Sequence, residues 1–532
     1  MRCKNASGLV ASRRNLITGA GISLIAMSAP AATPGGSSGS WNDVAFGPGL
    51  HRIDADRTIS GTLALQPGAR IEIAAGARLR LLGDLIAPTM EIFLGAGEVE
   101  LDQSRLLAAR PEWWGAIPDN AEIDCASAIE AALRAHPAVQ LGLGDYYLGR
   151  TLRVGLPNRR LWGIGRTNGA RGSRLVGQTT EGPVVLVGTD TAPLAINDYL
   201  RGIDMRWIEI ARISAARPSE VDDPSAPTGL AIRSVLDCIF EGVRASEHAV
   251  GFSIRGAVRT YLNDCTAFRS AFAAGAKDMF VGFDLDGRVT PITTGANASL
   301  YLTDCNARTG NSPHLSVSVG CRLLGAFSDT FLLRFETTEL SHGILVDGLA
   351  ASLPIAQRRV AHLNLHIDTP VLDQCRETCL AFHNLSDWAM VDVNAPWLAL
   401  SRGGEAALRL QNCRGALSVV AGQIVGSGES AATGVHARRS SGFGLAGTKL
   451  MGFSHPIDAE DCSGLDLVAA IIADSDMAEA VALRGCKDSY IRVRVLGGDD
   501  RGVDIRLDSN SQNIAVEHTG LRAPEGRCLP KP

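Results

Sequence analysis

The chain has 532 residues, 58 of them glycine, with 5% aromatic and 20% charged side chains. That length exceeds what one ordinary hydrophobic core supports, and the Gly-rich, aromatic-poor mixture suits many short strands joined by turns better than a helical bundle. The formal net charge of −5 falls to −9 without residues 1–31, which hold four basic and no acidic side chains, so the chain lacks the basic balance that nucleic-acid phosphates demand.

The first residues read as an export signal. Ser12-Arg13-Arg14-Asn15-Leu16-Ile17 resembles the twin-arginine pattern, a mildly apolar stretch runs from Ala20 to Met27, and Ala29-Pro30-Ala31 fits a small-x-small cleavage site. No later run reaches the roughly 18 apolar residues of a membrane span, so residues 1–31 predict a periplasmic or secreted product. Eleven cysteines remain after Cys3 leaves with the signal. An odd number leaves at least one unpaired, no spacing of a metal site appears, and buried small hydrophobes are the better reading for most of them.

Residues 32–40 form a Gly/Ser-rich linker. Residues 41–110 show very short alternating stretches, and Pro67–Ile73 and Ala75–Leu81 nearly repeat one another, each a turn followed by a short strand. This predicts a small N-terminal β region.

Residues 111–150 are the most specific segment. Pro111-Glu-Trp-Trp-Gly-Ala116 precedes an amphipathic helix over Asp124–Arg134, with Ile129 and Leu133 on one side. Ser127 and Glu130 fit a capping box, with Asp124 as the alternative cap. Val139–Leu148 and Arg160-Leu-Trp-Gly-Ile-Gly165 read as the first strands and turns. This order resembles the N-terminal signature of the pectate-lyase-like superfamily, phage tailspikes included. The resemblance implies an all-β, right-handed parallel β-helix solenoid whose short N-terminal helix caps the open first rung, and a role in binding or cleaving polysaccharides. The family's acidic G-D-G-x-x-D-D run is only partly kept, in Ile117–Cys125.

Residues 151–520 carry the repeat, and 521–532 form a tail. Positions 413, 440, 462, 486 and 511 begin similar segments, with gaps of 27, 22, 24 and 25 residues, as one turn of a solenoid repeats with small loop changes. Cys238, Cys265 and Cys305 suggest a second series spaced 27 and 40.

Outward strand positions rich in ionisable groups concentrate in the middle. Alternation turns Leu333 and Phe335 inward and Arg334 and Glu336 outward; it exposes His362, Asn364, His366 and Asp368, then Asp392 and Asn394. The offsets 336→364→392 are both 28, which predicts one column of Glu336, Asn364 and Asp392, with the two carboxylates roughly 9–10 Å apart, near the upper end of the gap an inverting glycosidase leaves for its water. Glu336 and Asp392, with His362 and His366, are the candidate catalytic residues; Arg334, Asn364, Asp368 and Asn394 are candidate substrate-binding residues.

Three readings stand. Hydrolysis by two carboxylates leads. A polysaccharide lyase would need Arg334 or Ca²⁺ to neutralise a uronate and a histidine to take the proton, but no tight acidic Ca²⁺ cluster is evident and Asp222-Asp223 and Asp499-Asp500 read as solvated charge. Otherwise no cofactor or metal is implied. A non-catalytic carbohydrate-binding or envelope β-helix is the third; Tyr261, Tyr301, Trp388 and Trp397 could stack on sugars. The polygalacturonase motifs are missing, Ser341-His342-Gly343 being a faint echo of G-H-G. The partner implied is a polysaccharide, with the protein a monomer or homotrimer.

Overall fold

The computed structural model describes residues 39–165, 172–189, 193, 195–213, 225–270, 278–288, 297–310, 315–348, 363–428, 432–473, 477, 479–497 and 504–519. Every strand pairing among them is parallel, as the solenoid reading requires.

The N-terminal β region is itself a small three-sided coil. Gly39–Trp41 pairs with Arg57–Ile59, which pairs with Arg78–Leu81, which pairs with Glu98–Leu101; two further sheets of three strands close the other sides. The near-repeated segments 67–73 and 75–81 therefore lie on successive sides of one turn rather than on successive turns. Their inward Ile71, Ile73, Leu79 and Leu81 are all buried.

Pro111–Trp114 forms a 3-10 turn closed by Gly115 in the left-handed region, and the helix runs Ala126–Ala135. The expected capping box does not form. Asp124 Oδ1 instead accepts the Ala126 N–H at 3.0 Å and the Gly149 N–H at 2.9 Å, while Glu130 takes both Nη atoms of Arg150 at 2.7 Å. The helix is thus tied sideways to the first rung. Trp113 Nε1 donates to Pro88 O at 3.2 Å, and Trp114 packs on Phe93, so the motif also joins the small coil to the large one.

The main solenoid has three faces per rung. On the first, strands such as His342–Asp347, Thr378–His383 and Ala406–Gln411 pair in succession; on the second, Leu363–Asp368, Met390–Asn394 and Ala416–Val420; on the third, Glu336–Thr338, Val371–Cys375 and Trp397–Leu400. Inward positions stack as continuous columns, for example Phe252, Phe283, Cys321, Ile344 and Leu380, all fully buried. Near this column the wall is a run of glycines. A Cβ on Gly282 would come 2.4 Å from Ala307 Cβ and 2.6 Å from Gly320 O.

The series 413, 440, 462, 486 and 511 marks one corner, between the first and second faces. Cys413 N donates to Ser440 Oγ at 3.2 Å, Ser463 N to Ser440 O at 3.0 Å, and Cys486 N to Ser511 Oγ at 3.1 Å. The earlier series needs a correction. Cys265 and Cys305 are equivalent, but their partner one rung back is Val243; Cys238 lies inside the second face, aligned with Thr260. The ten described cysteines are all free and buried.

In eight successive rungs the corner between the second and third faces turns on a single residue with positive φ: Trp207, Gly242, Asp264, Asp304, Arg334, Thr369, Ala395 and Ala421. Each N–H from Trp207 to Ala421 donates to a carbonyl one rung on, at 2.7–3.0 Å. A sharp bend between two strands needs this left-handed conformation, which Gly, Asn and Asp reach at least cost.

Candidate functional site

The sequence-derived candidates fall in three places. His366 and Asp392 are direct partners on the second face, with Nδ1 to Oδ2 3.4 Å, and Asp392 also accepts from Ser418 Oγ at 2.9 Å. Asn364 donates to Asp329 at 2.7 Å on the same face, where Asp368 and Asn394 form the neighbouring pair. Arg334 stands at the corner and clasps Asp304 through two bonds of 2.6 and 2.7 Å. Glu336 lies beyond that corner on the third face, aligned with Asn306 and Val371. His362, like Asp222-Asp223 and Asp499-Asp500, lies outside the described residues.

The expected column of Glu336, Asn364 and Asp392 is therefore not formed. The rung from Phe331 to His366 is 35 residues and the next, to Asp392, is 26. A 28-residue ruler slips the second-face register by two, which keeps every side chain on its own side of the sheet and so leaves no trace in the alternation. Arg334, with φ of 51°, resets the alternation besides: Leu332 rather than Leu333 is the buried partner of Phe335.

The aromatic residues also change meaning. Tyr261 and Tyr301 stack at 4.9 Å, Tyr301 and Phe331 at 4.7 Å, and Phe331 and the His366 imidazole at 4.8 Å, all within 13° of parallel. Their ring faces are occupied by one another, so a sugar cannot lie on the inner ones. Trp388 and Trp397 are exposed at separate points.

Alternation alone did not single out the first face. Asp284 and Asp286 point outward, opposite the inward Phe283 and Leu285, yet are 7% and 3% exposed, and outward Arg322 is 8% exposed. Outward charge that is nonetheless buried marks a recessed face, and buried charge persists only when paired. Arg322 Nε meets Asp284 at 2.8 Å; Arg255 and Arg288 meet Asp286 at 2.5 and 2.8 Å. Burial would raise the Asp286 carboxyl, but the Arg288 hydrogen bonds and the Arg255 charge hold it below its usual range.

Further along the same face stand three imidazoles around one guanidinium. Arg409 and His436 are cross-strand partners in the outward column, and His383 belongs to the column beside them. His342 Nε2 lies 3.6 Å from Glu377, His436 Nε2 lies 3.9 Å from Asp458, and Arg409 is ion-paired with Glu405. Burial pushes His342, His383 and His436 below the ordinary imidazole value, with Arg409 adding to the effect and Glu377, Asp347 and Asp458 opposing it. Each imidazole therefore favours its neutral form. The hydrogen bond from Arg409 holds Glu405 below the ordinary carboxylate range. His342 Nδ1, His383 Nε2 and Arg409 Nε are buried without a hydrogen-bond partner, polar capacity the protein itself leaves unused. The faint Ser341-His342-Gly343 echo falls inside this cluster.

A second assembly sits on the corner. Asp264 and Asp304 occupy successive rungs, with stems about 4.8 Å apart. Partial screening from water, with Asp304 and Glu241 nearby, raises the Asp264 carboxyl; the Arg334 bonds lower that of Asp304. Among the described residues no group of His, Cys, Asp and Glu has the arrangement of a metal site, and no helix is long and apolar enough to cross a membrane.

Fold and faces together define a parallel β-helix protein, the architecture that the N-terminal signature implied. Solved structures agree on the fold: the pre-mature gene product 12 of bacteriophage phi29 superposes with a TM-score of 0.50 and 13% identity, over 80% of this chain and 59% of the phage chain. Similarity is lower to tailspike protein 3 of bacteriophage CBA120 (0.39, 11%, 77% of this chain and 57% of that one) and to the A-module of the Azotobacter vinelandii mannuronan C-5 epimerase AlgE6 (0.40, 11%, 77% and 99%). The chain spans less than two thirds of either phage chain. Its sequence matches no family model and no curated protein.

Proposed function

We propose that this protein acts on an acidic polysaccharide laid along the recessed first face, cleaving it by β-elimination, with the leader of residues 1–31 directing it out of the cytoplasm. The observation that supports elimination is the set of neutral imidazoles around Arg409. A guanidinium can neutralise a uronate carboxylate, which acidifies the proton on the adjacent carbon, and a neutral imidazole is the form that accepts that proton. In the step, the C5–H bond breaks toward His436, a C4–C5 double bond forms, and the C4–O4 bond breaks with the electron pair leaving on oxygen, which then takes a proton. Asp458 would orient the His436 imidazole.

Hydrolysis is the second reading, and a different observation favours it: Asp264 and Asp304 stand on adjacent rungs with their carboxyls displaced to opposite sides of the ordinary range, as an acid and a base are. Incubation with a panel of uronate-containing and neutral glycans separates the two. New ultraviolet absorbance from a conjugated double bond, lost in Arg409→Ala and His436→Ala but kept in Asp264→Asn, supports elimination. Reducing ends without that absorbance, lost in Asp264→Asn, overturn it in favour of hydrolysis. Glycan binding without any turnover leaves a carbohydrate-binding β-helix.

A further inference from the structure

In eight successive rungs the corner between the second and third faces holds a residue in the left-handed conformation, and six of them fill it with Gly, Asp, Thr or Ala. At one rung the residue is Trp207, with φ of 56° and 46% of its surface exposed. A large aromatic is a poor choice both for that backbone and for water contact. Its indole is held in place by a specific absence: a Cβ on Gly242, one rung on, would come 2.7 Å from Trp207 Cδ1. Beside the ring opens a groove of about 210 Å³, lined among others by Gly165, Ser173, Glu209, Arg244 and Asp264. Glu209 is 8% exposed and lies between Arg174 at 3.8 Å and Arg244 at 4.0 Å, while the Arg244 guanidinium rests on Phe268 at 5.0 Å.

We propose that this groove is a sugar-binding site, in which a pyranose ring lies on the Trp207 indole and Glu209, Arg244 and Asp264 take up its hydroxyls. A pyranose has an apolar C–H face and a rim of hydroxyls that both donate and accept; a flat aromatic wall opposite planar charged groups complements both. The carboxylates make the groove unsuited to a phosphate, and its volume is too small for a folded partner. The site rests on the glycan-acting reading but not on which bond is cut. It lies on another side of the rung from the first face, so it would hold a second stretch of the same chain or a neighbouring one.

The test is calorimetric titration of the full-length protein with cellohexaose, laminarihexaose and hexagalacturonate. Trp207→Gly removes the platform with a residue the left-handed backbone accepts, and Trp388→Ala controls for loss of an exposed tryptophan elsewhere. The expected result is binding of at least one hexasaccharide that weakens about tenfold or more in Trp207→Gly and is unchanged in Trp388→Ala. Equal binding by Trp207→Gly and the native chain, or no binding of any of the three, overturns the proposal. Because first-face turnover is read separately through Arg409→Ala, turnover with unchanged binding in Trp207→Gly removes this site and leaves the catalytic reading standing.

Discussion

The N-terminal signature makes a quantitative prediction. Tyr146 is fully buried; its hydroxyl donates to Glu112 and accepts the Gly142 N–H at 2.7 Å. Burial and the Glu112 charge push the Tyr146 hydroxyl far above its usual value, so it remains a donor at every working pH. Glu112 is 6% exposed, and its other carboxylate oxygen has no hydrogen-bond partner. Tyr146→Phe removes a bond to a charged group and strands that carboxylate, a loss of about 3 kcal/mol. Glu112→Gln keeps an acceptor and removes the charge, so it should change stability by less than about 1 kcal/mol, and adding it to Tyr146→Phe should recover part of the loss. A solenoid opens locally rather than all at once, so the assay is amide hydrogen exchange, read by mass spectrometry on peptides covering 126–148. Exchange there should speed up roughly a hundredfold in Tyr146→Phe, with peptides beyond residue 390 unchanged. If Glu112→Gln proves as disruptive as Tyr146→Phe, the buried charge is not what the hydroxyl serves, and the reasoning fails.

Three further outcomes are expected. Gly282→Ala should destabilise by more than about 2 kcal/mol, read as lost soluble yield and a lower Tm, because its Cβ meets the Ala307 methyl and the Gly320 carbonyl, neither of which can rotate away. His248 is wholly buried and its imidazole is pushed down to about 3. The unfolded chain therefore binds a proton below about pH 6.5 that the folded one refuses, and stability should fall as pH drops from there toward 3, by at most about 1.4 kcal/mol per unit; urea titrations at several pH values should show that slope flattened in His248→Gln. Ala395→Gly should gain about 0.5–1 kcal/mol, since the residue sits at φ of 45°, and an unchanged or lower Tm would show that the corner does not strain it.

The fold was legible because its signals are local or periodic. Alternation marks inward residues such as Leu363, Leu365, Ile367, Val391 and Val393, all buried, and the 413–511 series marks one corner. The site was less legible, for two physical reasons. Sequence spacing measures rungs only when their loops are equal, and the 35-residue rung before His366 broke the ruler. Alternation also reports which way a side chain points and not whether the face is recessed. Asp284 and Asp286 looked like any outward pair, and nothing in their own strand says that three arginines cover them. His342, Arg409 and His436 are spread over 95 residues of chain, and only the pairing of strands brings them together. Arg334 was found for its outward position, but its partner Asp304 lies a rung earlier, across a corner that only its φ reveals.

The regular second-face register has a consequence for how such a chain can change length. From His366 to Asp392, to Ser418 and to Gly444, three successive rungs each take 26 residues. Excising residues 392–417 would bring Val391 to Ser418 with every inward column still meeting its counterpart. Removing one residue fewer would turn the following strand inside out. Duplication or loss of a whole rung is then a small event, and a point deletion a large one. The length of the outward faces is open to variation that the core hardly registers.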